Sequence, residues 1–119
     1  MSILVTGGAG YIGSHTVVEL LNNDYDVVIV DDFSNSHPTV LERIKELTGK
    51  TFTFYELNLL DKEGLHKVFQ ENDIEAVIHF AGFKAVGESV SIPLEYYHNN
   101  VTGTIILLEV MKEFNVKNI

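Results

Sequence analysis

The sequence contains no cysteine, which excludes a disulfide framework and a thiolate metal site. It contains one arginine, Arg43, and only 8 basic residues against 17 acidic ones, for a formal net charge of −9. A nucleic-acid surface needs cations clustered over the phosphates, so no nucleic-acid partner is expected. Any anionic ligand has to be held by main-chain amides and helix ends instead of a basic patch. No apolar run approaches the ~18 residues of a membrane span. A strand pattern begins at the third residue, which leaves no room for a basic-then-apolar leader. The expectation is a soluble, cytoplasmic protein with no membrane partner. The histidines, His15, His37, His66, His79 and His98, are scattered without ligand spacing. They read as surface or satisfied core histidines, and no metal site is expected. Repeats, linkers and low-complexity segments are missing as well, so the 119 residues read as one small domain.

What is present begins with glycine. An apolar run, Ile3-Leu4-Val5, enters Thr6-Gly7-Gly8-Ala9-Gly10-Tyr11-Ile12-Gly13, and a helical stretch from Ser14 leaves it. Gly8, Gly10 and Gly13 fit G-x-G-x-x-G, and Gly7, Gly10 and Gly13 fit G-x-x-G-x-x-G. Under either frame, glycine permits a tight turn and lets the backbone approach a pyrophosphate. The unpaired amides and dipole of the following helix then face the phosphates. Strand before and helix after supply the context that a bare glycine pattern lacks.

The second strand, Asp26-Val27-Val28-Ile29-Val30-Asp31, is an apolar β-branched run, which suits a central parallel strand covered on both faces. Asp31 lies 18 residues beyond Gly13 (31 − 13), close to the spacing at which an acid meets an adenosine ribose. A carboxylate there accepts from the ribose hydroxyls and repels a 2′-phosphate. With no arginine beside it, the cofactor indicated is NAD and not NADP.

The remaining chain alternates. The periodicities predict strands at 2–7, 26–31, 51–57 and 75–80 and helices at 11–22, from Pro38 to Gly49, from Asp61 to about Asn72, and from Leu94 to about Phe114. The first helix ends at Asn22-Asn23-Asp24, where asparagine tolerates a left-handed stop. Expected buried stripes are Ile12, Val17, Leu20 and Leu21 in the first helix and Val40, Leu41, Ile44 and Leu47 in the second. Leu65, Val68 and Phe69 serve the third. The fourth has two apolar lines, Val101-Ile105-Leu108 and Leu107-Val110-Phe114, which implies burial from more than one side. Asp61 is a plausible N-cap. Gly103, within a helix, implies close packing. The order β-α-β-α-β-α-β-α is that of an α/β, Rossmann-type, doubly wound parallel sheet, here with about four strands in the order 3-2-1-4 and helices on both faces. Such a sheet ordinarily continues, so a partial domain is expected.

Four stretches are similar to one family: TGGAGYIGSH (6–15), DDFSNS (31–36), HFAGFKAVGES (79–89) and PLEYYHNNVTGT (93–104). They resemble the UDP-glucose (UDP-galactose) 4-epimerases of the extended short-chain dehydrogenase/reductase family, isomerases of galactose metabolism. The resemblance covers the whole chain. The glycine turn belongs to the superfamily at large; Lys84-Ala85-Val86-Gly87-Glu88-Ser89 is more specific. It implies an NAD that takes hydride from C4 of a UDP-hexose and returns it to the other face of a 4-keto sugar. By resemblance, Gly7, Gly10, Tyr11, Ile12 and Gly13 surround the pyrophosphate. Asp31 holds the ribose, and Asp32, Phe33, Ser34, Asn35 and Ser36 line that end. Asn58 and Leu59 border the adenine. Phe80, Ala81, Gly82, Phe83 and Lys84 follow the cofactor, and Asn99 faces it from the last helix. The resemblance leaves room for a homodimer.

Two positions depart from the family pattern: Asn58 stands where an aspartate is general, and Asp32 where an asparagine is common. A larger departure concerns catalysis. No Tyr-x-x-x-Lys occurs in the 119 residues, since Tyr96 and Tyr97 are followed four positions on by Asn100 and Val101. General-base chemistry needs a group within ~3 Å of the sugar hydroxyl, and no catalytic residue is assigned. Three readings therefore stand: the NAD-binding part of an epimerase that is inactive alone, a stand-alone NAD-binding or regulatory module, or part of another NAD-dependent sugar-nucleotide enzyme.

Overall fold

The computed structural model describes residues 2–9, 11–32, 39–80, 102–117 and 119. Within them lie four strands, β1 (Ser2–Thr6), β2 (Asp26–Asp31), β3 (Thr53–Glu56) and β4 (Ile74–His79). Four helices follow them in turn: α1 (Tyr11–Asn22), α2 (Thr39–Thr48), α3 (Lys62–Glu71) and α4 (Gly103–Glu113). All strand pairs are parallel, in the order β3-β2-β1-β4. The predicted order thus holds. The third strand is shorter than predicted, and the fourth begins and ends one residue earlier.

Register explains the two-sided core. Ile3 pairs with Val27, Leu4 with Val28 and Val5 with Ile29, and successive side chains point to opposite faces. Ile3, Val5, Val27 and Ile29 meet Val17 and Leu21 of α1 and Ile44 of α2 on one face. Leu4, Val28, Val30 and Val77 meet Leu65, Val68 and Phe69 of α3 and Leu107, Val110 and Met111 of α4 on the other. Two helices therefore cover each face, and the middle of β2 is buried throughout.

Three stripes are narrower than their periodicity. Leu47 is 72% exposed and Ile12 is 54% exposed, so α2 and α1 bury only part of their apolar lines. In α4 one line is buried through Leu107 and Val110, while Ile105 and Leu108 are half exposed. Burial from more than one side is therefore not seen among the described residues. Strand alternation in β3 leaves Phe54 and Tyr55 partly buried on opposite faces, as an outer strand allows.

The ends follow simple chemistry. Asp24, not an asparagine, takes the left-handed position after α1 at φ 65°, as Gly49 does after α2 at φ 64°. Asp61 caps α3 by accepting from the Gly64 amide at 3.1 Å. Gly103 is buried against Leu59, but an added Cβ would lie 3.5 Å from Leu59 Cβ, an ordinary contact.

Candidate functional site

Because every strand runs the same way, every strand's carboxyl end arrives at one edge of the sheet. Thr6 and Gly7 arrive there from β1, Asp31 and Asp32 from β2, Leu57 and Asn58 from β3, and His79 and Phe80 from β4. Main-chain bonds carry the pairing past the strand ends. Gly7 N–H donates to Val30 O at 2.8 Å, Leu57 N–H to Asp31 O at 3.1 Å and Phe80 N–H to Thr6 O at 2.9 Å. Ligands of open parallel sheets bind at this edge.

The turn after β1 has two distinct requirements for glycine. Gly7 sits at φ 70°, where a side chain is strained. Gly13, in the first turn of α1, would place a Cβ 2.1 Å from the carbonyl oxygen of Gly7. Only hydrogen fits there, so α1 can begin directly on the turn with its first amides at the sheet edge. Gly8 is tight as well, since a Cβ would come 2.7 Å from Cγ2 of the buried, β-branched Ile29. Gly7, Gly8 and Gly13 thus each have a physical reason to be glycine.

Asp31 is 8% exposed, and its Oδ2 accepts from the Ala9 amide at 3.0 Å. The acid at the end of β2 is therefore tied to the glycine turn at the end of β1. One carboxylate fixes the spacing between the two strand ends that a dinucleotide would straddle.

Beyond it, the two family departures turn out to be partners. Asn58 Nδ2 donates to Asp32 Oδ2 at 3.0 Å, while Asn58 Oδ1 accepts from the Leu60 amide at 2.9 Å. Leu59, between them, is 8% exposed and packs in the core under α4. From there only its main chain can face a ligand. Phe80 is partly buried and packs on the α1–α2 side. Ile12, exposed, stands in the first turn of α1 beside the glycine turn. Gly10, Phe33, Ser34, Asn35, Ser36, Ala81, Gly82, Phe83, Lys84 and Asn99 lie outside the described residues. So does the Lys84–Ser89 stretch.

The structure adds a residue that spacing did not single out. His79 Nδ1 lies 2.5 Å from Thr6 Oγ1, and its Nε2 lies 3.1 Å from Thr104 Oγ1. The ring ties the ends of β1 and β4 to the first turn of α4. Its sequence signal was a histidine closing an apolar strand, which by itself reads as a satisfied core histidine. Among the described residues no group of three or more metal-ligating side chains comes together.

The comparisons with known proteins agree with this geometry. A UDP-glucose 4-epimerase of Bacillus subtilis is 66% identical over 119 residues, covering 100% of this chain and 35% of that protein. One from Haemophilus influenzae is 61% identical over 118 residues, covering 99% of this chain and 35% of its own length. Among solved structures, the UDP-glucose 4-epimerase of Bifidobacterium longum in complex with NAD+ and UDP superposes with a TM-score of 0.96 at 54% identity. It covers 98% of this chain and 35% of that one. This chain therefore spans about a third of the length of the relatives it matches. The sequence model of one protein family, described as GDP-mannose 4,6 dehydratase, matches residues 4–119, nearly the whole chain. With the parallel β3-β2-β1-β4 sheet, the glycine turn and Asp31 in place, the chain belongs to that family, and it is similar throughout to UDP-glucose 4-epimerases.

Proposed function

We propose that residues 1–119 form the NAD-binding domain, in part, of a UDP-glucose 4-epimerase that interconverts UDP-glucose and UDP-galactose. The observation that carries the reading is the Asp31–Ala9 bond, which joins the acid of β2 to the glycine turn of β1. It stands in a chain 66% identical over its whole length to a UDP-glucose 4-epimerase.

The residues fit the cofactor. A Cβ at Gly13 would clash with the Gly7 carbonyl, so glycine there lets α1 pack directly on the turn and bring its first amides to the sheet edge, where a diphosphate would be held. Gly7, Gly13 and the first amides of α1 would hold the pyrophosphate. Asp31 would accept from the ribose hydroxyls, and Asp32 and Asn58 would border the adenosine. Gly10, Tyr11, Ile12, the 33–36 stretch, Leu59, the 80–84 stretch and Asn99 complete the proposed set. NAD, when bound, accepts hydride from the sugar carbon and gives it back. The chain's own work is to bind and orient it with amides and carboxylates, which the charge of −9 and the single arginine allow.

A UDP-hexose is the proposed substrate of the whole enzyme, and the cytoplasm its proposed compartment. No helix among the described residues is long and apolar enough to cross a membrane. The half-exposed Ile105 and Leu108 of α4 would suit a second copy, which makes a homodimer the proposed assembly.

Calorimetric titration of the 119-residue chain with NAD, beside an assay of UDP-galactose turnover, tests the reading. Saturable NAD binding without turnover is expected. Turnover by the pure chain contradicts the assignment as a cofactor-holding part, and absence of NAD binding contradicts the cofactor.

A further inference from the structure

Asp32 and Asn58 lock one another into defined chemical roles. The Leu60 N–H can only donate, so the atom of Asn58 that faces it at 2.9 Å is the amide oxygen. The amide nitrogen is then the atom turned to Asp32, at 3.0 Å. A carboxylate at position 58 would keep the bond to Leu60 but would set like charge against Asp32. The charge at position 32 and the neutrality at position 58 therefore go together.

The place of this pair matters. Asp31 is buried and turned toward the glycine turn, where it holds the Ala9 amide at 3.0 Å. Asp32 is half-buried and turned the other way, toward the end of β3. A ribose held at Asp31 thus has a second carboxylate on its β3 side. Residues 31–36 contain no lysine or arginine to offset it. A 2′-phosphate adds close to two negative charges at that ribose. Each carboxylate at roughly 6 Å in a water-like medium weakens its binding about tenfold.

We propose that Asp32, held by Asn58, is a specificity-determining residue that adds to Asp31 in rejecting a 2′-phosphorylated dinucleotide. The proposal rests on the dinucleotide reading given above. Asn58 acts through Asp32 and is a positioning residue.

The test uses the 119-residue chain, with NAD and NADP titrated directly and in competition. In Asp32→Asn the NADP-to-NAD affinity ratio rises about tenfold at low salt and less at high salt, where screening already weakens the repulsion in the parent. Asn58→Asp weakens NAD binding. The double variant, Asp32→Asn with Asn58→Asp, recovers NAD binding and keeps the raised NADP-to-NAD ratio, because the amide and carboxylate have only changed ends. Thermal unfolding confirms that each variant is folded, with Asp32→Ser as a second removal of the charge. An NADP-to-NAD affinity ratio unchanged in both Asp32 variants overturns the proposal. So does a double variant no better for NAD than Asn58→Asp alone. Failure of the unsubstituted chain to bind NAD is a different result, and it overturns the dinucleotide reading itself.

Discussion

The ring of His79 lies 2.5 Å from the hydroxyl of Thr6, at the ends of two adjacent parallel strands. Thr6 is fully buried and immediately precedes the glycine turn, so this contact anchors the last residue before the cradle. The other ring nitrogen reaches Thr104 of α4 at 3.1 Å. One imidazole thus joins two strands and a helix where the candidate site opens. His79→Leu is expected to destabilise the chain by about 1–3 kcal/mol, the loss of the two hydrogen bonds the ring makes to Thr6 and Thr104. Thr6→Val and His79→Leu together are expected to cost less than their sum, since either change alone already breaks the bond. Urea unfolding of the two single variants and the double variant measures the coupling; strict additivity would mean that the contact contributes nothing.

Gly13 and Gly103 separate two uses of glycine. At Gly13 an added methyl meets the Gly7 carbonyl at 2.1 Å, so backbone has to move. Gly13→Ala should cost about 2 kcal/mol or more, as overpacking against main chain does, and should abolish NAD binding. At Gly103 the same methyl finds ordinary contact with Leu59 at 3.5 Å. Gly103→Ala should therefore be neutral or stabilise by up to about 1 kcal/mol, the helix propensity gained. Thermal melting of both variants checks the pair of signs, and a stable Gly13→Ala would refute the crowding argument.

Most of the fold was legible because hydrophobic period and parallel topology are local signals read in sequence order. β2 could be placed to the residue, since Val27 through Val30 leave no other reading, and the cap at Asp61 stood where its hydrogen-bond chemistry demanded. What failed was the extent of burial. Leu47 and Ile12 follow a helical stripe, but a helix resting on a sheet buries only the side chains under its axis, and these two fall beyond the contact. Gly7, Gly13 and Asp31, which the structure brings to one edge of the sheet, were picked out by spacing as candidates. The Asp31–Ala9 bond, the Asp32–Asn58 pair and the His79 bridge were not, because each joins residues 22, 26 and 73 positions apart that only the folded sheet brings together.

The last buried line of α4 offers a plain packing test. Leu107 is fully buried between α3 and the sheet. Leu107→Ala should destabilise the chain by about 2–5 kcal/mol, while Leu108→Ala, one residue on and half exposed, should cost well under ~1 kcal/mol in the monomer. Equal losses in chemical denaturation would contradict the face assigned to α4.

At the far end of the sheet from the site, Lys50 bonds to Asp24 in the turn after α1. That hydrogen bond, and then the charge of Lys50, holds the Asp24 carboxyl below its ordinary value. A carboxyl lowered by folding contributes stability above the ordinary carboxylate range, ~4, and loses it as pH falls through the lowered value. Asp24→Asn keeps a residue tolerant of φ 65° and removes only the charge. The variant should be slightly less stable than the parent at pH 7 in low salt. The gap should close in acid and in 1 M salt, since both side chains are solvent-accessible. A gap that persists in acid would assign the effect to backbone geometry instead of charge.

The most direct measurement is the NAD titration of the 119-residue chain beside its Gly13→Ala and Asp31→Ala variants. The account predicts one saturable NAD site per chain in the parent, with no binding in the glycine variant and strongly weakened binding without the Asp31 carboxylate. Equal NAD affinity in all three chains, or none in the parent, would contradict it.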